Sequence, residues 1–110
     1  MPQWIGCYTD DSTRNFDDGP HNNGHTIDMC LADDECKDKA YIALQNGGEC
    51  FCGNILQTDP KYEKVADDQC GSPCTGETSD VAQKYCGGFY KNAVYRNPNV
   101  GESGSRFPFN

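Results

Sequence analysis

A chain of 110 residues has room for one domain, and with 35% hydrophobic residues its core must be thin. A formal charge of −8, with nine Lys and Arg residues dispersed rather than clustered, repels nucleic acid, heparin-like glycans and anionic membranes. No apolar run approaches the ~20 residues that cross a bilayer, so no membrane insertion is expected of this segment.

Residues 4–9 (Trp-Ile-Gly-Cys-Tyr-Thr) are aromatic and β-prone and run into Asp10-Asp11, which predicts a first strand. From Asp11 to His25 the chain is rich in Asp, Asn, Gly and Pro and follows neither the helical nor the strand period. It reads as a surface loop in which His21 and His25 are solvated. Thr26 then offers a hydroxyl cap and Asp28 a first-turn acid to a helix of about 10 residues. Tyr41–Leu44, the turn residues Gln45-Asn46-Gly47-Gly48, and the alternating Glu49-Cys50-Phe51-Cys52 predict a β-hairpin. Residues 53–69 are polar and irregular, Cys70-Gly71-Ser72-Pro73-Cys74 forms a tight corner, and Phe89 to Tyr95 reads as the last strand. The domain is expected to span residues 1–95, with 96–110 a Pro/Gly/Ser/Asn-rich tail or linker. No internal repeat is visible.

Eight cysteines, Cys7, Cys30, Cys36, Cys50, Cys52, Cys70, Cys74 and Cys86, are an even number in a short, turn-rich chain and read as disulfides. Each bridge is worth ~2–4 kcal/mol, so four of them rival the net stability of a small domain. They demand an oxidising compartment, which places the chain as secreted or extracellular. No charged leader opens the sequence, and Met1 is read as standing where a leader was removed. Zinc is the competing use of cysteine, yet the short spacings are C-x-C and C-x3-C, with no CxxC knuckle, so no metal and no other cofactor is expected. Asp-Asp occurs at Asp10, Asp17, Asp33 and Asp67, but the stretch from Asp10 to Gly19 does not fit a calcium loop and reads as solvated acids.

Several patches occur together: Gly6-Cys7-Tyr8-Thr9-Asp10, Leu44-Gln45-Asn46-Gly47-Gly48-Glu49-Cys50-Phe51-Cys52-Gly53-Asn54, Cys70-x3-Cys74-x-Gly76, Cys86-Gly87-Gly88 and Val94-Tyr95. Over residues 4–95 this resembles the WSC domain of fungal cell-wall stress sensors, fungal oxidases and animal ectodomains such as Kremen and polycystin. The resemblance implies an α+β fold similar to PAN/apple modules, with one helix packed on a short antiparallel β-sheet. It also implies the pairing Cys7 with Cys70, Cys30 with Cys50, Cys36 with Cys52 and Cys74 with Cys86; spacing alone leaves about a hundred pairings open. One departure stands out: the family places its second and third cysteines four apart, whereas Cys30 and Cys36 are six apart and do not share a helical face. Either the helix ends before Cys36 or it is distorted.

The resemblance further implies a non-catalytic, lectin-like module binding a neutral cell-wall or surface polysaccharide such as β-glucan. Flat rings bury the C–H face of a pyranose while amides and carboxylates take its hydroxyls. Trp4, Tyr41, Phe51, Tyr62, Phe89 and Tyr90 are the candidate rings, with Gln45, Asn46, Glu49 and Asn54 as polar partners. Strand alternation sets Phe51 on the sheet face opposite Cys50 and Cys52, where a ring can be exposed, and so makes it the expected centre. The plainer reading is that half or more of these rings, Tyr8 and Tyr95 first, form the core. The rival function is a protein-interaction ectodomain whose acidic surface meets a basic partner. An enzyme is the remotest class, since no catalytic motif is present.

Overall fold

The computed structural model describes residues 2–58, 60–72, 74 and 85–100. Five antiparallel strands form one sheet: β1 (Gln3–Thr9), β2 (Tyr41–Gln45), β3 (Glu49–Gly53), β4 (Lys64–Val65) and β5 (Lys91–Arg96), in the order β3-β2-β5-β1-β4. The first and last strands thus pair near the middle, from Gln3 opposite Arg96 to Thr9 opposite Lys91, with a bulge between Trp4 and Gly6. Among the described residues, one α-helix, α1 (Ile27–Ala32), and two short 3-10 turns at Pro60–Tyr62 and Asp67–Cys70 complete an α+β domain.

The predicted hairpin is present as β2 and β3, in register from Tyr41 opposite Gly53 to Gln45 opposite Glu49. Its turn takes positive φ at Asn46 (51°) and Gly47 (85°), the conformation that Asn-Gly favours. Thr26 caps α1 as expected, its hydroxyl accepting from the Met29 amide at 3.0 Å. The helix is six residues long rather than about 10. Asp33, Asp34 and Glu35 place three acids where the helix dipole disfavours them, no basic residue offsets them in the last turn, and Asp33 turns extended. Cys36 therefore lies beyond the helix, in a turn whose amide bonds Asp33, which accommodates the six-residue spacing. The last strand begins at Lys91 rather than Phe89. Gly88 and Lys91 exchange backbone hydrogen bonds across a turn in which Tyr90 has φ 50°.

Each face of the sheet has its own core. On one face Cys7, Ile42, Leu44, Cys50, Cys52, Ala93 and Tyr95 pack with Ile27, Cys30 and Cys36. All four bridges form, Cys7–Cys70, Cys30–Cys50, Cys36–Cys52 and Cys74–Cys86, matching the pairing that the family resemblance implies. On the other face Tyr8, Phe16, Ala43, Phe51 and Val94 form a second cluster. The segment from Asp10 to His25 covers it, pairing Asp18 with Cys52 and donating the His21 amide to Cys50 at 3.0 Å. Packing continues past Tyr95: Asn97 donates to the carbonyls of Lys37 and Lys39, and Val100 is buried.

Gly87 is the most closely packed of the described glycines. At φ 90°, a Cβ added there would lie 2.1 Å from the Leu44 carbonyl oxygen. Gly87→Ala should therefore cost roughly 3 kcal/mol or more, read as a fall in melting temperature with all eight cysteines still paired.

Candidate functional site

Four segments meet in a cleft of about 140 Å³ lined by Arg14, Gln45, Asn46, Glu49, Phe89 and Tyr90. Glycine-rich corners bring them together. Gly47 donates its amide to Cys86 at 2.8 Å and Asn46 to Gly88 at 3.3 Å, which stitches the β2–β3 turn to the corner before β5. Phe89, 74% exposed, stands there edge-on to Tyr90 with ring centroids 4.8 Å apart. Four described non-glycine residues have positive φ, and three of them, Arg14 (67°), Asn46 (51°) and Tyr90 (50°), line this cleft. Left-handed backbone at a non-glycine residue costs on the order of 1–3 kcal/mol and concentrates at working sites.

Behind the cleft lies Asp10, its side chain 1% exposed. Its carboxylate accepts from the Asn15 amide at 2.8 Å, from the Arg14 guanidinium at 3.3 Å and from the Gln45 side-chain amide. Its own backbone amide donates to Tyr90 at 2.9 Å. Asp10 thus fixes three of the six lining residues, and the expectation that it is a solvated loop acid is corrected. Arg14 spreads its guanidinium over the rings of Phe51 (4.9 Å) and Tyr90 (5.6 Å).

The family model for the WSC domain matches residues 4–88. The chain belongs to the WSC domain family. This WSC domain is 28% identical over 92 residues to "Cell wall integrity and stress response component 3" of Saccharomyces cerevisiae, covering 84% of the chain and 16% of that protein. It is 26% identical over 94 residues to "Protein SLG1" of the same yeast, covering 86% of the chain and 23% of that protein. The chain spans less than a quarter of the length of these curated relatives.

Of the residues singled out by sequence, the WSC domain gathers Gln45, Asn46, Glu49, Phe89 and Tyr90 in the cleft. Phe51 is on the predicted face but is only 1% exposed: Phe16, the Arg14 guanidinium and the His21 ring (4.5 Å) cover it. The expectation of an exposed ring there is corrected. Tyr62 is also buried, its hydroxyl bonding Thr13 and Asp11 at 3.0 Å each. Trp4 packs on the disulfide face between Tyr85 and Tyr95 and donates to Asp67 at 3.3 Å. Tyr41 lies half-buried beside Phe16 and under the Arg96 guanidinium.

Asn54 belongs to a second, wider groove of about 450 Å³ between residues 15–18 and 52–57. Much of the polar surface there is committed. Asn15 and Gln57 bond each other three times, and the Asn54 side-chain Oδ1 accepts from the Ala40 amide at 2.9 Å.

Arg14 and Asp10 were not singled out as binding residues by sequence. The signal available was a lone arginine four residues after an aspartate inside an Asp-rich loop. Asp11, next in line, is held down to about 2 from an ordinary 3.8, chiefly by the Thr13 hydroxyl, with Tyr62 and Lys61 adding to it against partial burial.

Two outcomes follow from these placements. Phe51→Ala should lower stability by roughly 3–5 kcal/mol, as a core ring does, measured by denaturant unfolding. Because the folded pKa of Asp11 is depressed, its contribution is complete above about 4 and is lost as pH falls through about 2. Asp11→Asn should flatten the melting temperature over that window.

Proposed function

We propose that this WSC domain is a non-catalytic, extracellular, lectin-like module that binds a neutral cell-wall or surface polysaccharide such as β-glucan, and that the sugar docks at Phe89. The observation that carries this reading is an exposed aromatic ring set beside fixed polar groups. Phe89 offers a flat apolar surface to a pyranose face, while Asn46, Glu49 and Tyr90 lie at the same cleft to meet hydroxyls. At about 140 Å³ the cleft is small against the several hundred Å³ of an enclosing ligand site, which suits one ring of a long polymer lying across the surface.

The yeast relatives named for cell wall integrity and stress response support a wall polymer as the ligand class. Four disulfides support an oxidising, extracellular setting. A binding role without catalysis agrees with the carboxylates at the cleft. Asp10 is buried and accepts three hydrogen bonds, so among the described residues lining or backing the cleft Glu49 has no free second acid of the kind glycoside hydrolysis uses.

Phe89→Ala is the direct test, with soluble β-glucan binding followed by calorimetry. Loss of a stacking ring should weaken binding roughly tenfold to a hundredfold, with the melting temperature near wild type because the ring is mostly exposed. Undiminished glucan binding by the variant would remove the site. Binding of a basic protein partner in place of any glycan would favour the ectodomain reading.

A further inference from the structure

A guanidinium in the wall of a cleft is the side chain best suited to grip a carboxylate, sulfate or phosphate, through paired N–H donors. Arg14 is the one cationic residue among the described residues lining this cleft, and its side chain is 28% exposed. On that ground alone the site would take acidic sugars. The buried carboxylate behind it reverses this. We infer that Asp10 sets the charge selectivity of the cleft, holding and neutralising Arg14 so that the site accepts neutral sugar and rejects uronate.

Three observations support this role, which rests on the sugar-binding reading of the same cleft. Asp10 bonds Arg14 at 3.3 Å from a position 1% exposed, where solvent screens the pair little. The guanidinium carbon also lies over the rings of Phe51 and Tyr90, 4.9 and 5.6 Å from their centroids, contacts that oppose its swinging out toward an anion. Glu49 is the acid of the lining itself, so Arg14, Glu49 and Asp10 behind them together leave an excess of one negative charge. A hydroxyl loses little on entering such a site. A carboxylate meets a guanidinium whose charge Asp10 already pairs and an acid that repels it. Asp10 lies behind the lining residues and acts through Arg14 and Gln45; it is a positioning residue.

The test compares two matched probes in the full chain: laminarihexaose, and the same hexaose oxidised at C6 to uronates. Wild type should bind the neutral probe at least about tenfold more tightly, the size expected of a charged hydrogen bond gained or refused. Asp10→Asn keeps the shape and removes the charge, so it should bind the oxidised hexaose at least about tenfold more tightly than wild type does. That gain should vanish in Asp10→Asn/Arg14→Gln. A purely structural role would weaken both probes alike, and that result, or an unchanged preference, overturns the inference.

Should Asp10→Asn fail to fold, wild type is read at about 1 M salt, which screens the surface field of the −8 chain but leaves a buried pair largely unscreened. A preference for the neutral hexaose that persists there supports the inference, and one that vanishes, or oxidised hexaose bound as tightly as neutral, refutes it. The two levels separate through Phe89→Ala. If wild type binds neither hexaose, or binds both regardless of Phe89, the sugar reading falls and takes the inference with it. Neutral binding that depends on Phe89 but shows no charge preference sinks only the role of Asp10.

Discussion

Everything in this fold depends on two cysteines set one residue apart on a strand. Side chains on β3 alternate, so Cys50 and Cys52 point to the same face and tie down Cys30 at the helix and Cys36 in the turn beyond it. A domain with so little apolar content gains from each such bridge an amount comparable to a buried leucine or more, roughly 2–4 kcal/mol. The bridges also decide where everything else goes. With the helix fixed to one face, the long polar segment after β1 is left to roof the other, and Phe16 and Phe51 become a second small core beneath it.

That roof explains what was legible in the sequence and what was not. Local chemistry could be read directly: the alternation at Cys50-Phe51-Cys52, the Asn-Gly turn, the Thr26 cap. The four bridges came from resemblance, because pairing is a property of the whole chain rather than of any spacing. The burial of Phe51 was hidden because its cover is contributed by residues 14–21, a stretch with no hydrophobic period to announce that it packs. Phe89-Tyr90 looked like the start of a strand on β-propensity, yet the Gly87-Gly88 corner forces a turn and leaves one ring in solvent. Side-chain chemistry alone points to five residues of the cleft. It does not point to Arg14 and Asp10, since their value comes from a contact between a loop and the end of β2.

The cleft is rigid for reasons that can be traced to single atoms. Asn46 and Tyr90 are held in left-handed backbone by hydrogen bonds from the turns around them, and Gln45 and Arg14 are held by one buried carboxylate. Groups fixed before a ligand arrives lose less conformational entropy when it binds, which matters for a shallow site with few contacts to offer. The conformational cost of the strained residues is carried by the folded sheet and its covalent ties.

The sheet order has a mechanical consequence. Gln3 and Arg96 face each other at one end of the β1–β5 ladder, so tension applied between them would open that ladder one pair at a time rather than shear it. The opening is short. From Gln3 the covalent route crosses to Cys70 at Cys7, then to Cys86 at Cys74, and so reaches Arg96. Drawn straight, that route is about 70 Å, against more than about 300 Å for the unbridged chain. Arg14, the β2–β3 hairpin and the bridges that hold it all lie off this path. A pulled domain would yield a limited length and then stop, with the Arg14 and hairpin side of its cleft outside the line of force and the Phe89 side within it.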